Sequence, residues 1–165
     1  MAIFGKRPNK MLEHELQSHL SRRVDVLTQG SGPEASLLAT KELLALRELG
    51  EWRTFGWEQI ATGAWREEDS RFVWKTTSGE NFTVHLDDAG RLPELFRERV
   101  QSSMVATITH DLPKGRVQII GRRALDGNDE LTWYAVAGGG ADLGDEAVAA
   151  LVVAETDRLK AEYGA

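Results

Sequence analysis

The chain has 165 residues, a length that suits one domain with an added subdomain. Folding at that size removes roughly 70% of the unfolded surface from water, so a core needs no disulfide or metal to hold it. Charged residues are 28% and hydrophobic residues 41%, the balance of an ordinary soluble protein, and the net charge of −6 argues against nucleic-acid binding, which shows as a basic excess. The chain has no cysteine, which excludes disulfides, thiol catalysis and thiolate metal sites. No stretch approaches the ~20 apolar residues of a membrane-spanning helix, and the first ten residues lack the apolar run of a signal peptide. A cytoplasmic protein is expected.

Residues 1–10 read as a loose tail. Asn9 is placed to cap a helix running to about Ser21, with Met11, Leu12, Leu16 and Leu20 on one face. His14 and His19 are five apart, whereas the helical zinc motif needs histidines four apart to share a face. A surface or packing role is expected for both. Val24-Asp25-Val26-Leu27 reads as a short strand, followed by the turn-rich Gly30-Ser31-Gly32-Pro33. Ser36 to Leu46 reads as one long strand or two short ones, although its leucines and alanines suit helix equally. Leu49-Gly50-Glu51 is a turn. Gly56 and Gly63 lie inside strand-like segments and mark bulges or close backbone approach.

From Phe55 to Val105 the pattern is clearer. In Phe72-Val73-Trp74 the aromatic rings share one side, and Phe82, Val84 and Leu86 share a face opposite Thr83 and His85. Such alternation marks half-buried antiparallel strands. Glu67-Glu68-Asp69-Ser70 and Thr77-Ser78-Gly79-Glu80 supply the turns. A helix follows, opened by Pro93, with Leu92, Leu95, Phe96, Val100, Ser103 and Met104 at spacings of three and four. Trp57, Trp65 and Trp74 fall where the core should lie. Trp52 and Trp133 suit a seam or an interface.

The run Phe55-Gly56-Trp57-Glu58-Gln59-Ile60, two hairpin-linked strands and the helix Leu92-Pro93-Glu94-Leu95-Phe96-Arg97-Glu98-Arg99-Val100 together resemble a pleckstrin-homology-like (PH-like) barrel. The resemblance covers roughly Arg22 to Val105 and extends to a group of small uncharacterised bacterial proteins of that fold, largely from high-GC Gram-positive bacteria. It implies about seven strands closed by a helix, and no particular activity.

Beyond this region, Arg116 to Arg123 is strand-like, Asp126-Gly127-Asn128-Asp129 is a strong turn, and Leu131, Trp133 and Ala135 lie on a second strand. Gly138-Gly139-Gly140 leads to a helix from about Asp145 to Tyr163, with Val148, Leu151, Val152 and Leu159 on its apolar side. The glycine run resembles a phosphate cradle. Asp142, Asp145 and Glu146 would repel a phosphate there, and the lysine of a Walker-type loop is absent, so a connector is the better reading. The Asp126 turn lacks the spaced carboxylates of a calcium loop. His85 with Asp87 and Asp88, and His110 with Asp111, offer metal-binding or proton-sharing pairs without a locatable third ligand. Lys114, Arg116, Arg122 and Arg123 concentrate positive charge on the late hairpin. They would touch a partner or a lipid phosphate, or guard a strand edge against aggregation.

The expectation is an α+β protein. Residues 1–21 form a tail and helix, 22–106 a PH-like antiparallel barrel capped by the 92–105 helix, and 107–165 a β-hairpin and helix packed on the barrel. The expected function is a non-enzymatic interaction module without cofactor or metal. Its partner would be another protein, with homo-oligomerisation as one form of that partnership. The alternatives are lipid-headgroup or phosphate binding through the basic hairpin, and a hydrolase or metal-dependent enzyme using His85, Asp87 or His110.

Overall fold

The computed structural model describes residues 9–128 and 130–164. These residues form ten strands in three antiparallel sheets together with three α-helices, and the chain divides into two compact units between Ser102 and Ser103. No helix among the described residues is long and apolar enough to cross a membrane. Most of the tail expected over 1–10 lies outside the described residues, as does Asp129 of the expected 126–129 turn.

The first unit opens with α1 (Lys10–Leu20). The Asn9 side chain accepts the Met11 N–H at 2.9 Å, which satisfies a donor that the first helical turn leaves free. Ser21, at φ 55°, stops the helix in the left-handed region, and the Arg22 N–H returns to the Gln17 carbonyl. Four strands follow as a meander: β1 (Val26–Ser31), β2 (Ala35–Thr40), β3 (Leu43–Glu48) and β4 (Glu51–Gly56). The ambiguous leucine-rich stretch is therefore two strands. Thr40 closes the turn between them, its hydroxyl accepting the N–H groups of Glu42 and Leu43. The run lacks alternation because both faces are covered. Leu38 and Ala45 pack on Leu16 of α1, while Leu37, Ala39, Leu44 and Leu46 are buried on the other side. Trp52 joins the α1 side and stacks on His19 at 6.3 Å.

A 3-10 turn over Trp57–Gln59 leads into the second sheet, β5 (Ile60–Arg66), β6 (Arg71–Thr76) and β7 (Asn81–His85). The fully buried Trp57 donates its Nε1–H to the Thr40 carbonyl at 3.0 Å. Helix α2 (Leu92–Ser102) buries Leu92, Phe96 and Val100. Phe96 meets Phe72 edge-on at 4.9 Å and Trp57 at 5.6 Å. Across the two sheets, Phe55 of β4 meets Phe82 at 4.9 Å and Trp74 at 5.7 Å. Trp57 and Trp74 are core residues as expected, whereas Trp65 is half-buried and stacks on Phe72 at 6.5 Å. Between ladders the backbone makes one isolated bridge, Ser31 with Asp88. No closed barrel is found among the described residues.

The sequence pattern extends the capping helix to residue 105. It ends at Ser102, and Met104 opens β8 (Met104–Asp111). Val105, Thr107, Ile108 and Thr109 are β-branched and resist helix through restricted χ1 rotamers. The second unit therefore holds a three-stranded meander in place of the expected hairpin: β8, β9 (Arg116–Arg123) and β10 (Leu131–Gly138), with β9 central. Helix α3 (Glu146–Tyr163) follows, its Asp145 N-cap accepting from the Ala147 and Val148 N–H groups. It reaches one sheet face at both margins, through Glu155 to His110 of β8 and through Tyr163 to Trp133 of β10.

Gly63 tests the packing of α2 on β5. A Cβ there would lie 2.3 Å from the Phe96 ring. In an unobstructed extended site, Gly→Ala stabilises by about 0.4–1 kcal/mol through the unfolded chain. Here the overlap reverses the sign, and Gly63→Ala is expected to destabilise by about 1–3 kcal/mol, read as a lower denaturant midpoint.

Candidate interaction surface

Strand register sorts the second unit's side chains into two faces. Opposite the central β9, Ala106, Ile108 and His110 of β8 pair with Gly121, Ile119 and Val117. Trp133, Ala135 and Ala137 of β10 pair with the same three β9 residues. This face carries α3. Val117, Ile119 and Leu159 are buried, and the Trp133 ring lies over Gly121, where a Cβ would come within 2.8 Å of it. Arg116, Gln118, Ile120 and Arg122 alternate onto the other face with Tyr134.

The four expected basic residues do not form one patch. Arg122 is 0% exposed. Its Nε–H donates to the Ser103 hydroxyl at 2.8 Å and its Nη1–H to the Tyr134 hydroxyl at 3.1 Å. It is thus an internal polar anchor, which desolvation permits only because its donors are matched. Arg116 and Arg123 are exposed at opposite ends of β9, roughly 23 Å apart at strand rise, and alternation turns them to opposite faces. Lys114 is exposed in the β8–β9 turn and lays its alkyl stem beside Gly140. It borders a cleft with Leu112, Pro113, Val148, Asp142 and Asp145, where the two carboxylates oppose an anionic ligand.

The histidines pair separately. His85 Nε2 lies 3.0 Å from Asp87 Oδ1 in the first unit. In the second unit His110 Nε2 lies 3.0 Å from Glu155 Oε2 of α3; the neighbouring Asp111 is not its partner. No group of three or more His, Asp or Glu residues able to hold a metal occurs among the described residues. The Asp126 turn is held by its own side chain, which accepts the Asn128 N–H at 2.9 Å.

The arrangement best suited to binding is the free edge of β10. The strand pairs only with β9, so along Leu131–Gly138 alternate N–H and C=O groups point outward without a strand partner among the described residues. The segment reads Leu-Thr-Trp-Tyr-Ala-Val-Ala-Gly and carries neither charge nor proline, the usual guards of an exposed edge. Val136 is 43% exposed. On the opposite face of the sheet, α3 runs without a charged residue from Ala147 to Ala154, and Val153 is 60% exposed. The full eight-residue length of β10 was not legible beforehand. Its signal was Thr132-Trp133-Tyr134 followed by Val136, all good strand formers.

Comparison of the chain with protein families, with curated proteins and with solved structures finds no match.

Arg122→Lys removes the planar fork that serves Ser103 and Tyr134 together. It is expected to cost about 1–3 kcal/mol in chemical denaturation, while Arg116→Lys at the exposed end stays within about 0.5 kcal/mol. The Glu155 carboxylate of α3 carries a pH signature. The Glu155 carboxyl is held below the ordinary glutamate range, chiefly by the Arg158 hydrogen bond; burial opposes this, and the Arg158 charge and His110 add to it. A depressed folded-state value gives stability that is present above the unfolded value and lost as pH falls through the folded one. Melting temperatures of the intact protein and of Glu155→Gln should therefore differ at neutral pH and converge as pH drops below the ordinary glutamate range.

Proposed function

We propose that this protein is a non-enzymatic interaction module that receives another protein's strand on the β10 edge. The observation that carries the reading is an eight-residue, uncharged edge strand whose outer backbone groups have no strand partner among the described residues. Such an edge offers a row of backbone hydrogen bonds for affinity and alternating side chains for specificity. The proposal extends to the first unit's ancestry. Four strands, three strands and a following helix, in the order β1–β4, β5–β7 and α2, support a PH-like grouping for residues 22–106, with α2 packed on β5 at Gly63. A PH-like fold hosts many functions, so the binding reading rests on the β10 edge rather than on the resemblance.

The test is affinity capture from the native host with three baits: the intact chain, Thr132→Lys/Val136→Lys, and Arg116→Glu/Arg123→Glu. Both lysines replace exposed β10 residues on the face away from α3, and because Thr132 pairs with Arg122 the variant's fold is checked by circular dichroism before capture. Strand addition predicts a protein retained by the intact and arginine-variant baits and lost from the lysine variant. Capture that follows the arginines would move the site to the basic residues.

A further inference from the structure

We infer that the strand received by β10 is β10 of a second copy, so that the protein is a twofold dimer with a continuous six-stranded sheet. The inference rests on the strand-addition reading and names its partner. Three observations lead to it.

The first is self-complementarity along the strand. In an antiparallel pair, directly opposed residues lie on the same face, so a twofold axis normal to the sheet must pass through a residue position rather than between two. With Tyr134 on the axis, Thr132 faces the second copy's Val136, Trp133 faces its Ala135 and Leu131 faces its Ala137. On the α3 side each large residue meets a small one, and this register keeps all of 131–137 inside the ladder.

Charge gives the second. Like charges directly opposite each other destabilise a ladder, and a charge drawn into one without a partner loses hydration. A foreign strand would have to match an uncharged edge by its own composition. A second copy matches it automatically, because no charged residue lies between Leu131 and Gly138.

The third concerns α3. A twofold axis normal to the sheet keeps both copies of α3 on one side of the joined sheet. Tyr163 marks the β10 side of the helix through Trp133, and Glu155 marks the β8 side through His110. At 3.6 residues per turn, Tyr163 lies about 80° round from Glu155, Ala149 about 120° and Val153 about 160° in the same sense. The exposed Val153 and its alanine neighbour thus sit on the flank turned toward the free edge. An apolar run on both sides of a helix calls for cover on both sides, and among the described residues of α3 Leu159 alone is buried. The second α3 supplies that cover across the axis.

Sedimentation equilibrium on the full chain tests the inference. The intact protein should sediment at twice its 18.3 kDa chain mass. In Thr132→Lys/Val136→Lys the introduced lysines face each other twice across the axis, and dimerisation should weaken at least about tenfold. In Thr132→Lys/Val136→Glu the same positions carry opposite charges that face each other, and the dimer should return. This third variant separates loss of pairing from loss of folding, since it carries the same two altered sites. A monomeric intact chain overturns the inference. So does a dimer that persists in the lysine pair, or one that the lysine–glutamate pair fails to restore. A monomeric chain that still captures a different host protein through β10 would keep the strand-addition reading while removing the second copy. An intact chain that neither dimerises nor captures a host protein through β10 would remove both.

Discussion

Two sheets of the first unit meet mainly through aromatic side chains, because no strand ladder joins them among the described residues. Between ladders there is one isolated bridge, Ser31 with Asp88. The rest falls to Phe55, Phe72, Trp74, Phe82 and Phe96, whose ring centroids lie 4.9–6.1 Å apart in successive contacts. Each such pair is worth about 0.5–1.5 kcal/mol beyond the area it buries. The glycine at position 63 is part of the same constraint, since it lets α2 approach closely enough for Phe96 to reach Phe72 and Trp57. Trp57, in the turn from β4 to β5, adds a polar tie by donating to the carbonyl of Thr40 at the end of β2.

The second unit solves the problem differently. Its sheet has one face under α3, where Gly121 leaves room for the Trp133 ring and Leu159 fills the centre. On the other face a guanidinium takes the place of an apolar core, with Ser103 and Tyr134 accepting its protons. A buried arginine of this kind is costly unless matched, so it favours a single geometry over near alternatives. Helix α3 is tied at both margins, by the His110–Glu155 pair and the Trp133–Tyr163 ring contact.

Local chemistry was legible in the sequence wherever it was self-contained. Asn9 and Asp145 cap the helices they were expected to open, and β6, β7 and β9 follow from alternation and turn residues. Where both faces are buried the period vanishes, and the leucine-rich stretch became two strands only through Thr40 and its turn. Strand β8 was hidden because Ser103 and Met104 extended the spacing of the preceding helix, although the β-branched residues after them argued for strand. Alternation put Arg116 and Arg122 on one face of β9. It carried no information that Ser103, nineteen positions away, would bury one of them while the other stayed in water. The free β10 edge is likewise a property of strand order, which no single segment encodes.

Strand order also has a consequence in time. Every sheet is a meander, so each ladder joins strands that are neighbours in the chain. Contacts of this kind close short loops and carry little entropic cost, which favours rapid formation. On a ribosome delivering the chain from its N-terminus, no strand has to wait for a sequence-distant partner before its own sheet can be completed. The four-stranded, three-stranded and second-unit sheets become complete in that order as their last strands emerge. What must come later is the side-chain closure of α2 over β5 and of α3 over β9.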